Sequence, residues 1–256
     1  MRQLLLEWNF GPSLVAFPTP AQELIWRALP WSIALLGVSI VLAWAIGMLL
    51  GTLIGWHRGR AADSVLTPVG LVASQIPPYL LALILAMSLV YGVGLFPSGG
   101  AYSPGIGKAL NLRFATSVVY HAIMPALSLV VVYLFSWMLS QRALVINLIG
   151  EDFMRFAEAK GLPPARLIRR YVMRNTLLPQ ATGLALSLGF VVNGFFLIEW
   201  VYRYPGVGRL FVSAIRERDY NVMLGITILA MGLVLLANLI IELLYPLIDP
   251  RIRRRA

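Results

Sequence analysis

Acid–base, nucleophilic or metal chemistry needs side chains that this sequence supplies sparsely. Its two histidines, His57 and His121, stand far apart at the ends of apolar runs, with no metal-ligand spacing around either. There is no cysteine, so disulfides and thiolate metal sites are both excluded. Gly107-Lys108 has the form of a phosphate-binding loop, but Tyr102 stands where its first glycine belongs and Ala109 where Ser or Thr is needed. Gly206-Val207-Gly208 is followed by Phe211 where a dinucleotide motif requires glycine. Neither is a nucleotide site. H-E-x-x-H and G-x-S-x-G are absent. No catalytic residue, no metal site and no cofactor is therefore expected on this chain. The charged residues form something else: a polar, arginine-rich island over Glu151–Pro179, set between runs without any charge. The chemistry open to such an island is recognition of another protein.

Glu151–Lys160 is rich in helix formers, with acids at its start, where they suit the positive end of the helix dipole. Gly161 is placed as a terminator at C′, where the backbone must be left-handed. Pro163 and Pro164 restart a helix, because proline fits the first turn. In that second helix Leu167, Ile168, Tyr171 and Val172 fall on one face and Arg166, Arg169, Arg170 and Arg174 on the other. The pattern alone fits two readings, a solvated loop between spans or an ordered docking element of helix, sharp turn and helix.

The elements around the island are apolar. Of 256 residues 59% are hydrophobic and 12% charged, with a mean hydropathy of +0.79. Charge-free runs cover Ala28–Trp56, Val65–Gly107, Phe114–Gln141, Asn175–Ile198 and Tyr220–Ile241. Each reaches the roughly 20 residues a helix needs to cross a bilayer, and unbroken, non-alternating runs favour helices over a barrel, so about five spans are expected. The second run is too long for one span; Phe96-Pro97-Ser98-Gly99-Gly100 is turn chemistry, which ends its helix near Gly92–Leu95. The fold class is all-α, a polytopic helical membrane protein.

The net charge of +10 invites a nucleic-acid reading, but the positions of the charges favour topology. With the island inside, the larger share of the 21 Lys and Arg is cytoplasmic. The tail Arg251–Arg255 suits anionic lipid, and no nucleic-acid partner is expected. The resulting organisation is an external segment 1–27, a transmembrane domain 28–250 with a cytoplasmic loop 142–177 and an external segment 200–220, and a basic cytoplasmic tail 251–256. The N-terminus of this chain is then external and the C-terminus cytoplasmic. The run Leu4–Leu6 is too short for the core of a signal peptide.

The run Ala157-Glu158-Ala159-Lys160-Gly161 through Leu178-Pro179 resembles the cytoplasmic coupling loop of ABC-importer permeases, in the form of the dipeptide, oligopeptide and nickel branch. Glu199-Trp200-Val201-Tyr202-Arg203-Tyr204-Pro205-Gly206-Val207-Gly208-Arg209-Leu210 resembles that family's E-x-V-F-x-x-P-G-x-G-x-L segment. Ala214-Ile215, Arg218-Asp219-Tyr220 and Asp249-Pro250-Arg251-Ile252-Arg253 continue the likeness. Upstream, Leu29-Pro30-Trp31-Ser32, Phe96–Gly100 and His121–Ala126 fit as well, so the resemblance covers nearly the whole chain in order. Members of this branch usually begin with one further helix. Here Trp8–Ser13 resembles the end of the external segment that follows it, which leaves that helix without a counterpart through a misassigned start, a fragment or a genuine lack.

The resemblance implies the type I fold of ABC-importer permeases and a place in the bacterial or archaeal cytoplasmic (inner) membrane. It implies a permease subunit forming half of a pathway for peptides or a related solute. A second permease subunit, two ATPase subunits and an external substrate-binding protein would complete the assembly, with ATP and Mg on the ATPases. Ala157, Glu158, Ala159, Lys160, Gly161 and Pro163 would couple to the ATPase. A membrane-embedded enzyme or a non-transporting scaffold is the competing class; the first lacks catalytic groups in this sequence.

Gln75 and Asn193, polar at membrane depth, are pathway-lining candidates or members of satisfied interhelical hydrogen bonds. Glu199 is a third candidate, able to meet a cationic substrate group or to pair locally with Arg203. Glu242, the one acid well inside an apolar run, suits anchoring near the inner surface, an interhelical contact or proton coupling. Gly47, Gly51 and Gly55 form a small-residue stripe for close helix packing against a partner in this chain or another. Leu210, Phe211, Ala214 and Ile215 predict a short amphipathic surface helix.

Overall fold

The computed structural model describes residues 9–106, 111–189 and 196–248, with side chains up to Ser187 in the second segment and, in the third, to Leu236 and at Leu239. Asn193, Glu242, Lys108 and the basic tail 251–256 lie outside the described residues or side chains. The chain is helical, and among the described residues pairing is limited to one isolated bridge between Pro12 and Pro20. In order the helices are α1 (Ala21–Trp56), α2 (Ala61–Ala73), α3 (Pro78–Leu85), α4 (Leu112–Ile149), α5 (Asp152–Ala159), α6 (Pro164–Leu167), α7 (Met173–Gly189), α8 (Phe196–Val201), α9 (Val207–Glu217) and α10 (Tyr220–Ile248). Wider π-helical turns continue α3 through Ala86–Gly92 and join α6 to α7 through Ile168–Val172.

Among the described residues α1 and α4 are each long and apolar enough to cross a membrane, and α2 with the helix Pro78–Gly92 forms a third, broken candidate. The fourth apolar run folds as α7 up to Gly189 and as α8 from Phe196, and the fifth forms most of α10. The second run ends its helix at Gly92, and it is interrupted outright at Ser74–Pro77. Pro77 and Pro78 lack backbone donors, and a residue before proline avoids the α region, so the helix stops and restarts there. The first helix begins at Ala21 rather than Ala28, its opening turns carrying the Glu23–Arg27 pair. Likewise α4 runs past Gln141 to Ile149, because Arg142 is neutralised by Asp63 and does not end the helix.

Two compact units divide the described residues. One is drawn from Met1–Val38, Pro78–Ser128 and Leu188–Leu239, the other from Ser39–Pro77, Leu129–Ser187 and Ile240–Ala256. In the first, Phe10, Ala21, Ile25 and Leu29 pack with Val207, Ala214, Val222 and Ile226. In the second, the glycine stripe sets the packing. A Cβ on Gly47 would lie 2.6 Å from the Trp137 Cβ, one on Gly51 2.7 Å from that of Gln141, and one on Gly55 2.9 Å from that of Val145. Both rows advance by four residues, so α1 and α4 approach closely along matching faces of the same chain.

Candidate functional site

The island folds as a short rigid unit. Glu151 is the extended N-cap of α5, its carbonyl accepting from the Met154 N–H at 3.0 Å and the Arg155 N–H at 3.2 Å. The helix stops when Gly161 takes φ +73°, donating its N–H to the Glu158 carbonyl at 2.8 Å. That left-handed turn is open to glycine and strained for other residues. Pro163 then caps α6 in an extended conformation and Pro164 fills its first position. The helix–turn–helix shape expected from the caps is thus the shape observed.

Burial divides this element into two faces. Met154, Ala157, Leu167, Val172 and Val145 are buried together, with Trp56, Ile149, Leu162 and Tyr171 at their edge. Met154 and Ala157, one helical turn apart, fasten α5 to the end of α4 and to the π turn after α6. The opposite face carries Glu158, Ala159 and Lys160, with Gly161 and Pro163 beyond it, all exposed. Ala157 departs from the sequence reading: at 2% exposure it anchors the helix and offers no contact to a partner. Two residues that reading missed stand out instead. Phe153 and Phe156 are 40% and 62% exposed, the first stacked on Tyr171 and the second beneath the Lys160 ammonium at 4.4 Å. Arg166, Arg169, Arg170 and Arg174 are exposed nearby, and Leu167 and Val172 face inward, as the periodicity requires.

The frame behind this face is pinned by polar contacts. Arg142 grips Asp63 with two hydrogen bonds, Nε at 2.5 Å and Nη2 at 3.0 Å, while Asp63 also accepts from the Gly59 N–H and the Thr67 hydroxyl. Deeper, the fully buried Gln141 donates through Nε2 to Thr52 and Thr176, both at 2.9 Å, joining α1, α4 and α7. Such side chains hold helices together where water is absent. No sequence signal separated Gln141 from any other glutamine at the end of an apolar run.

The pathway candidates fare differently. Gln75 is exposed at the break after α2, with its amide 3.5 Å from the Ser74 hydroxyl. Glu199 is corrected. It is 1% exposed and lines no surface of this chain, and its partners are Ser32 and the start of α9 rather than Arg203. Its carboxylate accepts from the Ser32 hydroxyl at 2.6 Å, the Gly208 N–H at 2.8 Å and the Arg209 N–H at 3.3 Å. Ser32 in turn accepts from the Val207 N–H at 2.8 Å. The first three N–H groups of α9, which have no partner within the helix, are thereby satisfied. Side chains at Gly206 or Gly208 would collide with the Glu199 carboxylate and with the Phe196 Cα, which explains both glycines. On α9, Val207, Leu210, Phe211 and Ala214 pack inward, whereas Ile215 is turned out and 48% exposed.

Residues 47–254 match the family described as binding-protein-dependent transport system inner membrane component. The chain belongs to this family. This permease is 32% identical to the oligopeptide transport system permease protein AppB of Bacillus subtilis over 97% of its own length and 77% of the relative's. It is equally identical, with the same coverage, to the oligopeptide transport system permease protein OppB of Haemophilus influenzae. The dipeptide transport system permease protein DppB of Bacillus subtilis is 28% identical over 97% of the permease and 76% of that relative. In fold, the permease matches a chain of the MetNI methionine ABC transporter in an inward-facing conformation, with a TM-score of 0.65 and 16% identity over 89% of the permease and 97% of that chain. It is a multi-pass inner-membrane subunit of the peptide ABC importer type, and the family is one of transport rather than catalysis.

Proposed function

We propose that this permease forms half of a translocation pathway for peptides or a related small solute, moved by alternating access. A second permease subunit completes the pathway, an external binding protein delivers the solute, and two ATPase subunits carrying ATP and Mg drive the cycle from the cytoplasm. The island is the cytoplasmic coupling element, and the N-terminus of this chain is external. The observation that carries this reading is the split character of α5. Its Met154–Ala157 face is fixed to the bundle, while its other face leaves Phe153, Phe156, Glu158 and Lys160 open. An exposed aromatic pair on a short, rigidly ended polar helix suits a groove in a partner subunit, and the rigid attachment passes the partner's movement to α4 and α7.

Co-purification with the second permease and the ATPases from mild detergent tests the assembly. Gly161→Pro tests the coupling, because proline cannot take a positive φ. Uptake is expected to be lost while the protein remains inserted in the membrane; unchanged uptake, or a wild-type chain that purifies alone, sinks the proposal.

A further inference from the structure

The network around Glu199 adjoins a cavity of about 580 Å³ lined by three arginines, Arg203, Arg209 and Arg216, with Trp200, Tyr91 and Met87 in the remaining wall. Among the described residues none of the three arginines has a carboxylate within ion-pair distance. Two of them meet uncharged groups instead. Arg209 Nη1 donates to the Arg203 carbonyl at 2.7 Å, and the Arg216 guanidinium lies 5.1 Å from the Trp200 ring centroid. Arg203 keeps a φ of 47°, a left-handed backbone that glycine takes freely and arginine does not. Its backbone is locked there by its N–H to the Trp200 carbonyl at 3.1 Å and by the Gly100 N–H on its own carbonyl at 3.3 Å. A strained backbone that keeps a charged side chain where a smaller residue fits better points to a use for that side chain.

Three like charges on one cavity wall repel one another until a counter-charge arrives, and guanidinium favours oxyanions through paired hydrogen bonds. Beside them Met87 and Tyr91 are exposed, so the same cavity offers apolar cover. Its volume falls in the range of small-molecule sites. We propose that this cavity binds the oxyanion of a small amphipathic solute, with Arg203, Arg209 and Arg216 on the anion and Trp200, Tyr91 and Met87 against an adjoining apolar group. A peptide carboxylate next to an apolar side chain has this chemistry, and so has a phospholipid phosphate next to its acyl chains. The proposal concerns binding at this cavity and stands without the transport reading.

The test uses the full chain in phosphatidylcholine nanodiscs, titrated with the dipeptide Leu-Leu and with its C-terminal amide. Wild type is expected to bind the free acid about tenfold or more tightly than the amide, the loss that follows from removing a charge-assisted hydrogen-bonded pair. Arg203→Gly relieves the left-handed backbone, so its melting temperature should be unchanged or raised while its preference for the acid disappears; Arg216→Gln should weaken the acid without affecting the amide. A second arm replaces part of the lipid with phosphatidylglycerol and follows retained lipid by native mass spectrometry. Anionic lipid kept by wild type but not by Arg203→Gly, with no binding of Leu-Leu, assigns the oxyanion to lipid. Equal binding of acid and amide, or acid and lipid retention both indifferent to Arg203→Gly, overturns the proposal. So does failure of both probes to bind, which would leave the arginines to an acidic protein partner.

Discussion

Glu199 has a carboxylate buried beside apolar residues, and burial of that kind is costly unless the lone pairs are met. Here they are met by a hydroxyl and two backbone donors, and the same contacts close the N-terminus of α9. Glu199→Ala would leave those donors buried without an acceptor, at about 1–3 kcal/mol for each unsatisfied group. A fall of several degrees in melting temperature is expected in detergent, with a smaller fall for Ser32→Ala, which removes one hydroxyl from the network. If Glu199→Ala melted like wild type and lost only uptake, the carboxylate would belong to the substrate instead. Sequence could not reveal this role, because Ser32 lies 167 positions away and the backbone donors exist only once α9 has formed. The glycines at 206 and 208 were the visible trace, but a P-G-x-G turn alone does not say what the missing side chains make room for.

The island shows the complementary case, in which local signals suffice. Caps act within a turn or two, so the acidic start of α5, a left-handed Gly161 and prolines at 163 and 164 could be placed from their order alone. Which face of α5 is fastened could not. Phe153, Met154, Phe156 and Ala157 give that helix apolar residues on two sides, and only the positions of Val145, Leu167 and Val172 decide that Met154 and Ala157 go inward. The two faces make a discriminating pair of variants. Met154→Ala removes a fully buried side chain and should cost about 2–5 kcal/mol, lowering the melting temperature of the chain itself. Phe156→Ala removes an exposed ring and should leave that temperature within about a degree or two, yet, on the proposed coupling, reduce both uptake and recovery of the proposed ATPase partners. Should Phe156→Ala instead destabilise the isolated chain and leave ATPase recovery intact, the exposed face would not be the docking face. The helix break at Ser74–Pro77 belongs to the same lesson: two adjacent prolines were legible, but a helix can kink or stop at proline, and the choice depends on what the two halves pack against.

At the scale of the whole molecule, hydropathy reveals the spans but not how distant segments are tied, and one tie is a carboxylate outside the apolar runs. Asp219, between α9 and α10, accepts hydrogen bonds from the Ser13 hydroxyl, the Leu14 N–H at 3.0 Å, the Val15 N–H at 3.4 Å and the Val222 N–H at 3.3 Å. Asn221 adds a bond from its side-chain amide to the Pro12 carbonyl at 2.7 Å, so the segment before α1 is fastened to the start of α10. Burial alone would push the Asp219 carboxyl up, but the bonds from Ser13, Leu14, Val222 and Val15 outweigh it and hold the group below its ordinary value of 3.8. A carboxyl depressed on folding contributes stability that is present above its unfolded value and is lost as pH falls through the lower folded one. Protection of backbone amides in residues 9–20 against hydrogen exchange, corrected for intrinsic rates, should therefore hold at about pH 5 and decay as the pH falls below 3.8. In Asp219→Asn that segment should already be open at the higher pH, with little further change on acidification, because the titrating acceptor is gone. Protection equal to wild type in the Asn variant at both values would mean that the apolar packing of Phe10, Ala21 and Ile25 holds the segment without help from the carboxylate.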